Sequence, residues 1–226
     1  MKYDNIFEGI FISRPNRFIA EIEIGGKLQI CHVKNTGRCK ELLVKGARVF
    51  VCKSDNPGRK TAYDLISVYK GDKLINMDSQ APNKVFGEWI SQGNFFKDVT
   101  LIKPECKYNN SRFDFYIETL NEKIFVEVKG VTLEEDGVVM FPDAPTQRGV
   151  KHIRELISAV RDGYKSYIFF VAQMEHFRYF TPNSKTHSEF ADTLRMAREQ
   201  GVGVYCVSCN VTKNELNINK LACVKL

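Results

Sequence analysis

Ser111-Arg112-Phe113-Asp114-Phe115-Tyr116-Ile117-Glu118-Thr119-Leu120-Asn121-Glu122-Lys123-Ile124-Phe125-Val126-Glu127-Val128-Lys129-Gly130 alternates apolar and polar residues on either side of a short polar turn, the pattern of a β-hairpin. A two-residue loop at Asn121-Glu122 sets Leu120 opposite Lys123, Asp114 opposite Lys129 and Glu127 opposite Tyr116. Asp114 and Glu127 are then diagonal neighbours within reach of one cation. Asp114, Glu127 and Lys129 share a face, and Phe113, Phe115, Ile117, Ile124, Val126 and Val128 line the reverse face. Two adjacent carboxylates repel unless each is matched by a cation, and in this register only Lys129 is at hand. Hard oxygen ligands with residual negative charge suit Mg²⁺ or Mn²⁺, and a lysine beside such an ion is the equipment of phosphodiester hydrolysis. The plain alternative is a solvated sheet face with one cross-strand ion pair.

Upstream, residues 6–80 read as short strands: Ile6–Phe11, Phe18–Ile24, Leu28–Val33, Arg48–Cys52, Tyr63–Tyr69 and Leu74–Met77, separated by turn signals such as Gly25-Gly26, Asn56-Pro57-Gly58 and Gly71-Asp72. Period-two alternation with turns every eight to twelve residues predicts a small antiparallel OB-like barrel. A boundary at Ser79-Gln80-Ala81-Pro82 divides the chain into units 1–82 and 83–226, with Asn83 expected as the N-cap of a short helix ending at Gly93.

Downstream the pattern becomes α/β. A strand at Val99–Ile102 and the hairpin lead to a helix from Thr146 to Asp162 with Gly163 beyond it, a buried strand at Tyr167–Val171, a helix at about Ser188–Gln200 with a capping box Thr186-x-x-Glu189, and a strand at Val202–Val207. The expected fold is α+β in two domains: the barrel, then a mixed sheet flanked by helices.

The net charge is +6, and residues 1–82 hold 14 Lys and Arg against 9 Asp and Glu, so the basic excess sits in the barrel. That suits a polyanionic partner. No apolar run reaches membrane-spanning length and no signal peptide opens the chain, so a cytoplasmic protein without membrane contact is expected. Seven scattered cysteines suit a reducing compartment; Cys206-x-x-Cys209 has zinc or redox spacing but no second Cys or His pair near it.

Four segments carry a resemblance: His32-Val33-Lys34-Asn35-Thr36-Gly37-Arg38, Ser111-Arg112-Phe113-Asp114-Phe115, Glu127-Val128-Lys129-Gly130-Val131-Thr132-Leu133, and Phe141-Pro142-Asp143-Ala144-Pro145-Thr146-Gln147-Arg148-Gly149. With them the chain resembles the sugar fermentation stimulation (SfsA) family from end to end. The resemblance implies an OB-like domain joined to a PD-(D/E)xK restriction-endonuclease-like domain that binds DNA, with RNA left open. It makes Asp114 and Glu127 the metal-binding acids and Lys129 the motif lysine, so that all three are the catalytic set. Members of that superfamily often add another acid, for which Glu88 or Glu105 is available. The family name implies a regulatory phenotype linked to sugar utilisation, so a non-catalytic DNA-binding regulator is the alternative to a nuclease.

Supporting groups are expected around the hairpin. The first turn of the helix at Thr146 offers free N–H groups that attract phosphate, with Gln147, Arg148 and Lys151 beside it and Arg112 on the hairpin. His152 reads as a satisfied, partly buried histidine. In the barrel, His32, Asn35, Thr36, Gly37, Arg38 and Lys40 form a polar loop on a rigid scaffold, a common seat of binding, and Phe18, Phe50 and Tyr63 are candidates for stacking on bases. A sugar-binding reading would need a pocket that the sequence does not announce.

Overall fold

The computed structural model describes residues 1–226 except Thr36 and Pro57, so those positions of the expected loop and turn lie outside the described residues. Alternating apolar residues drive the first half into strands β1 (Ile6–Asn16), β2 (Ile19–Ile24), β3 (Lys27–Val33), β4 (Arg48–Lys53), β5 (Tyr63–Lys70) and β6 (Lys73–Asn76). They pair in the order β3-β2-β1-β4-β5-β6, and β3 pairs again with β5 in parallel, Cys31 opposite Tyr63 and Val33 opposite Leu65. That second pairing closes the five-stranded OB-like barrel and leaves it with few free edges. Ala20, Ile22, Cys31, Val49, Val51, Leu65 and Val68, every one nearly inaccessible, fill its interior.

Asp64 on β5 is a buried charge of the barrel. Its carboxylate takes Arg59 Nη2 at 2.5 Å, His32 Nδ1 at 3.2 Å and Lys34 Nζ at 3.4 Å. Burial alone would raise this carboxyl, but the hydrogen bonds from Arg59 and the nearby Lys34 ammonium hold it below its ordinary 3.8. A depressed carboxyl contributes stability above about pH 3.8 that is lost as pH falls through the lower folded value. Asp64→Asn should therefore cost about 2–4 kcal/mol at pH 7 by stranding the cations, with the difference from the parent shrinking below pH 3.8 in denaturant titrations.

Helix α1 (Ala81–Ser91) follows, and its N-cap is Gln80, with Pro82 in the first turn. Asn83 is thus inside the helix and not its cap: Pro82, with its fixed φ, starts the helix earlier. Next come β7 (Val99–Tyr108), β8 (Ser111–Thr119), β9 (Lys123–Val131), β10 (Glu134–Glu135), β11 (Val138–Phe141), α2 (Gln147–Arg161), β12 (Lys165–Ala172), β13 (Tyr179–Pro182), α3 (Ser188–Glu199), β14 (Gly203–Val211) and β15 (Leu216–Ala222). The main sheet runs β15-β14-β12-β9-β8-β7, with β9, β12 and β14 parallel and the outer pairs antiparallel. β10, β11 and β13 form a small separate sheet. Strand β7 outruns the expected Val99–Ile102 because Pro104 lies on the sheet's edge, where its missing N–H costs no ladder bond.

Alternate strand residues go to opposite faces. Ile124, Val126 and Val128 of β9, with Phe169 and Val171 of β12, meet Val85, Phe86 and Ile90 of α1; Phe125, Ile168 and Phe170 face Val150, Ile153, Leu156 and Ile157 of α2 and Phe190 and Leu194 of α3. This is the mixed sheet flanked by helices. α2 opens as expected, with Thr146 Oγ1 accepting from Gly149 N at 3.0 Å, and Gly163 beyond its end adopts φ +89. The expected capping box at α3 does not form: His187 is the N-cap, and Glu189 binds Arg154 and Gln147 of α2.

Barrel and sheet share one continuous apolar core and a buried polar seam. Gln173, just past β12, donates to Asn76 Oδ1 at 2.8 Å and Asp78 O at 3.0 Å, while Tyr3 OH donates to Asp78 and accepts from Asn76 Nδ2. Each such bond left open would cost about 1–3 kcal/mol, so the seam fixes how the barrel stands against the end of β9. No helix among the described residues is long and apolar enough to cross a membrane.

Candidate metal centre and nucleic-acid interface

The hairpin closes differently from the expected register. β8 and β9 pair Glu118 with Lys123 and Phe115 with Val126, two residues away from the Leu120–Lys123 alignment. The loop is Thr119–Glu122, four residues long, because Thr119 Oγ1 accepts from both Asn121 N and Glu122 N while Thr119 N donates to Glu122 O. A slip of two preserves faces but moves Asp114 away from Lys129 to the level of Glu127.

The single shared face is also corrected. Phe115 packs on the α1 side but Phe113 packs with Phe125 on the α2 side, ring centroids 5.2 Å apart, so the alternation breaks at Asp114. Facing it on β7, Glu105 has φ +52. In place of a ladder bond, Val128 N donates to Asp114 Oδ2 at 2.7 Å, and Asn83 Nδ2 of α1 donates to Oδ1 at 2.7 Å. Such irregularities re-aim side chains beside active sites. Glu127 and Lys129 do share the α2 face.

Glu127 is buried, and its Oε1 receives both Lys129 Nζ and His152 Nδ1. Its Oε2 is buried with no hydrogen-bond partner among the described residues. Burial and then the charge of Glu127 raise the Asp114 carboxyl above its ordinary value. Burial would raise Glu127 too, but the His152 hydrogen bond and the Lys129 charge hold it lower. Lys129 is the cation paired with Glu127, while Asp114 is bound by the neutral donors Val128 N and Asn83 Nδ2, which leaves net negative charge of the kind that suits a divalent cation. Gly130 lets β9 pass at this point, since a Cβ there would lie 2.6 Å from Pro82 Cγ and 2.8 Å from Gln173 Oε1.

Neither further acid joins the pair. Glu88 binds the Met1 ammonium at 2.6 Å, and Glu105 pairs with Arg112 at 3.2 Å on the surface. Among the described residues no three His, Cys, Asp or Glu side chains cluster as metal ligands. Cys206 packs on the α2 side of the sheet and Cys209 on the α1 side, so the two thiols do not face one ligand; burial pushes the Cys209 thiol up to about 12.

Around the α2 N-terminus, Arg148 is exposed and its Nε donates to His152 Nε2 at 3.4 Å. Gln147 binds Glu189 at 3.1 Å, and Lys151 Nζ donates to Asn110 O at 2.8 Å. In the barrel, Arg14, Arg17, Arg38 and Lys40 line a groove of about 350 Å³. His32 lies apart from it, bound to Asp64. Asn35 Oδ1 accepts from Gly37 N, and Arg38 N donates to Asp143 Oδ2 at 3.1 Å, so this loop is pinned to the segment that leads into α2. Of the aromatic candidates, Phe50 is buried, Tyr63 packs edge-on against Phe7, and Phe18 is exposed with the Arg17 guanidinium over its ring.

Arg14 was not among the expected residues, and nothing local in Arg14-Pro15-Asn16-Arg17 marks it. Its guanidinium donates to the carbonyls of Arg17, Asn35, Gly37 and Arg38 at 2.8–2.9 Å, which gives the loop its shape. Arg14→Ala should cost about 2–4 kcal/mol and speed hydrogen exchange at the Gly37 and Arg38 amides selectively; uniform exchange changes would contradict this role.

A profile described as the SfsA N-terminal OB domain matches residues 12–77, and one described as the Sugar fermentation stimulation protein RE domain matches residues 80–215. The chain belongs to the SfsA family. A sugar fermentation stimulation protein homolog of Clostridium beijerinckii is 62% identical over 218 residues, 96% of each chain. One of Ruminiclostridium cellulolyticum is 59% identical over all 226 residues and the whole of that protein. The structure of Pyrococcus furiosus SfsA in complex with Ca²⁺ superposes with a TM-score of 0.90 at 29% identity, covering 100% of this chain and 98% of that one. The OB-like barrel and the restriction-endonuclease-like sheet of this SfsA chain are therefore the architecture of its family.

Proposed function

We propose that this SfsA-family chain binds DNA and cleaves its phosphodiester backbone with Mg²⁺ or Mn²⁺ held by Asp114 and Glu127. The observation that carries the reading is Glu127 Oε2, buried and without a hydrogen-bond partner among the described residues, beside Asp114, a second carboxylate that it repels. The description of the Pyrococcus furiosus relative as a Ca²⁺ complex supports a divalent cation here. Such an ion supplies Lewis acidity at a phosphoryl oxygen and acidifies attacking water.

The chain's own groups do the rest. Lys129, already bound to Glu127, orients the attacking water and offsets charge on the phosphate. Arg148, Gln147, Lys151 and Arg112, all exposed, hold flanking phosphates as point charges or donors. Arg38 and Lys40, with Asn35 shaping their loop, extend a basic track onto the barrel, while His32, bound to Asp64, stands apart from it. DNA is the proposed substrate; RNA is tested alongside it.

The rival reading, a DNA-binding regulator without turnover, draws on Glu88 and Glu105 being bound elsewhere, with no third acid beside the pair among the described residues. End-labelled single- and double-stranded DNA and RNA, incubated with Mg²⁺ or Mn²⁺, separate the two. Cutting by the parent that Asp114→Ala abolishes, with binding retained, supports the nuclease. Binding without cutting under either metal leaves the regulator.

A further inference from the structure

The motif residues Asp114, Glu127 and Lys129 leave one buried polar neighbour unassigned. His152 lies on the face of α2 that meets β9, nearly inaccessible, with Nδ1 against Glu127 Oε1 and Nε2 receiving Arg148 Nε at 3.4 Å. An arginine guanidinium only donates, and a neutral imidazole has one donor and one acceptor nitrogen. The Arg148 bond therefore makes Nε2 the acceptor and places the proton on Nδ1, where it can be given to the carboxylate. Glu127 Oε1 then holds two donors, from Lys129 and His152, and Oε2 holds none among the described residues. A carboxylate anchored from one side by two donors has its torsion fixed, and the oxygen it presents is decided by the anchor. Arg148 and His152 stand four residues apart on α2, one turn, so the relay is built on a rigid element.

We infer that His152, with its tautomer set by Arg148, is a positioning residue that fixes Glu127 so that Oε2 faces a divalent cation. This rests on reading Asp114 and Glu127 as a divalent-cation site. Partners that orient a ligating carboxylate affect metal affinity by about 10–100-fold, whereas a histidine that only fills space affects stability and leaves affinity alone. Asn is the conservative replacement, because its amide nitrogen sits where Nδ1 does and can donate the same bond; Leu fills the space and donates nothing.

The test is calorimetric titration of Ca²⁺ and Mn²⁺ into the full chain, in the parent, His152→Leu, His152→Asn and Glu127→Gln, with melting curves confirming that each is folded. Ca²⁺ affinity should fall by about 10–100-fold in His152→Leu and recover to within about tenfold of the parent in His152→Asn. ¹⁵N spectra of the parent imidazole give a readout that needs no variant: the His152 proton should be on Nδ1. Equal affinity in the parent and a folded His152→Leu, or the proton found on Nε2, overturns the inference while leaving the metal site standing. A parent that binds neither ion overturns the site and the inference together.

Discussion

Lys129→Ala should lower the single-turnover cleavage rate by about 10²–10⁴-fold, the range for a group that assists proton transfer at the reacting atoms, or about 3–5 kcal/mol of transition-state stabilisation. DNA affinity should change little, because the flanking phosphates are assigned to Arg148, Lys151 and the barrel groove. The ammonium is part-buried and bound to Glu127 Oε1, in range to lower the Asp114 carboxyl as well. Its removal leaves Glu127 tied to His152, so the fold should survive. Rates under saturating protein with Mn²⁺, and anisotropy titrations with Ca²⁺ for affinity, separate the two effects. A rate within about tenfold of the parent would place Lys129 outside the chemistry.

Phe86→Ala should produce the largest loss of stability. Phe86 is inaccessible at the middle of α1, with ring centroids 4.8 Å from Phe169, 5.4 Å from Phe115 and 6.0 Å from Trp89. Truncating such a ring costs about 3–5 kcal/mol in transfer and cavity terms, a drop in Tm of roughly 10 °C for a chain of this size. The same helix carries Asn83, which holds Asp114, so divalent-cation affinity should fall with it. A Tm within about 3 °C of the parent would mean that α1 is not the lid this packing describes.

The sequence made the barrel legible because turns between its strands are punctuated by Gly25-Gly26 and Gly71-Asp72, and the strands alternate cleanly. It also announced α2, since Thr146 is a local cap and Gly163 a local stop. The slip of two residues left Glu127 and Lys129 on one side, but the break in alternation at Asp114 undid the face expected to carry all three. What stayed hidden depends on partners distant in the chain. Thr119 caps a longer loop through its hydroxyl, Asp114 sits at a break in the ladder, and Pro104 is tolerated only because β7 is an edge. His152 is an ordinary residue until α2 lays it against Glu127; its spacing from Arg148 was the available signal. Glu88, beside the apolar stripe of its helix, read more as a plain surface glutamate than as a ligand, and Glu105 was the other acid at hand; the Met1 ammonium and Arg112 take the two elsewhere.

Everything proposed for this site depends on Asp114 and Glu127 holding a divalent cation. Anomalous diffraction from crystals soaked in Mn²⁺ tests it most directly. A peak contacted by the Asp114 carboxylate and Glu127 Oε2 is expected; saturating Mn²⁺ with no peak there, or with peaks only at other sites, would mean that the two acids hold no cation.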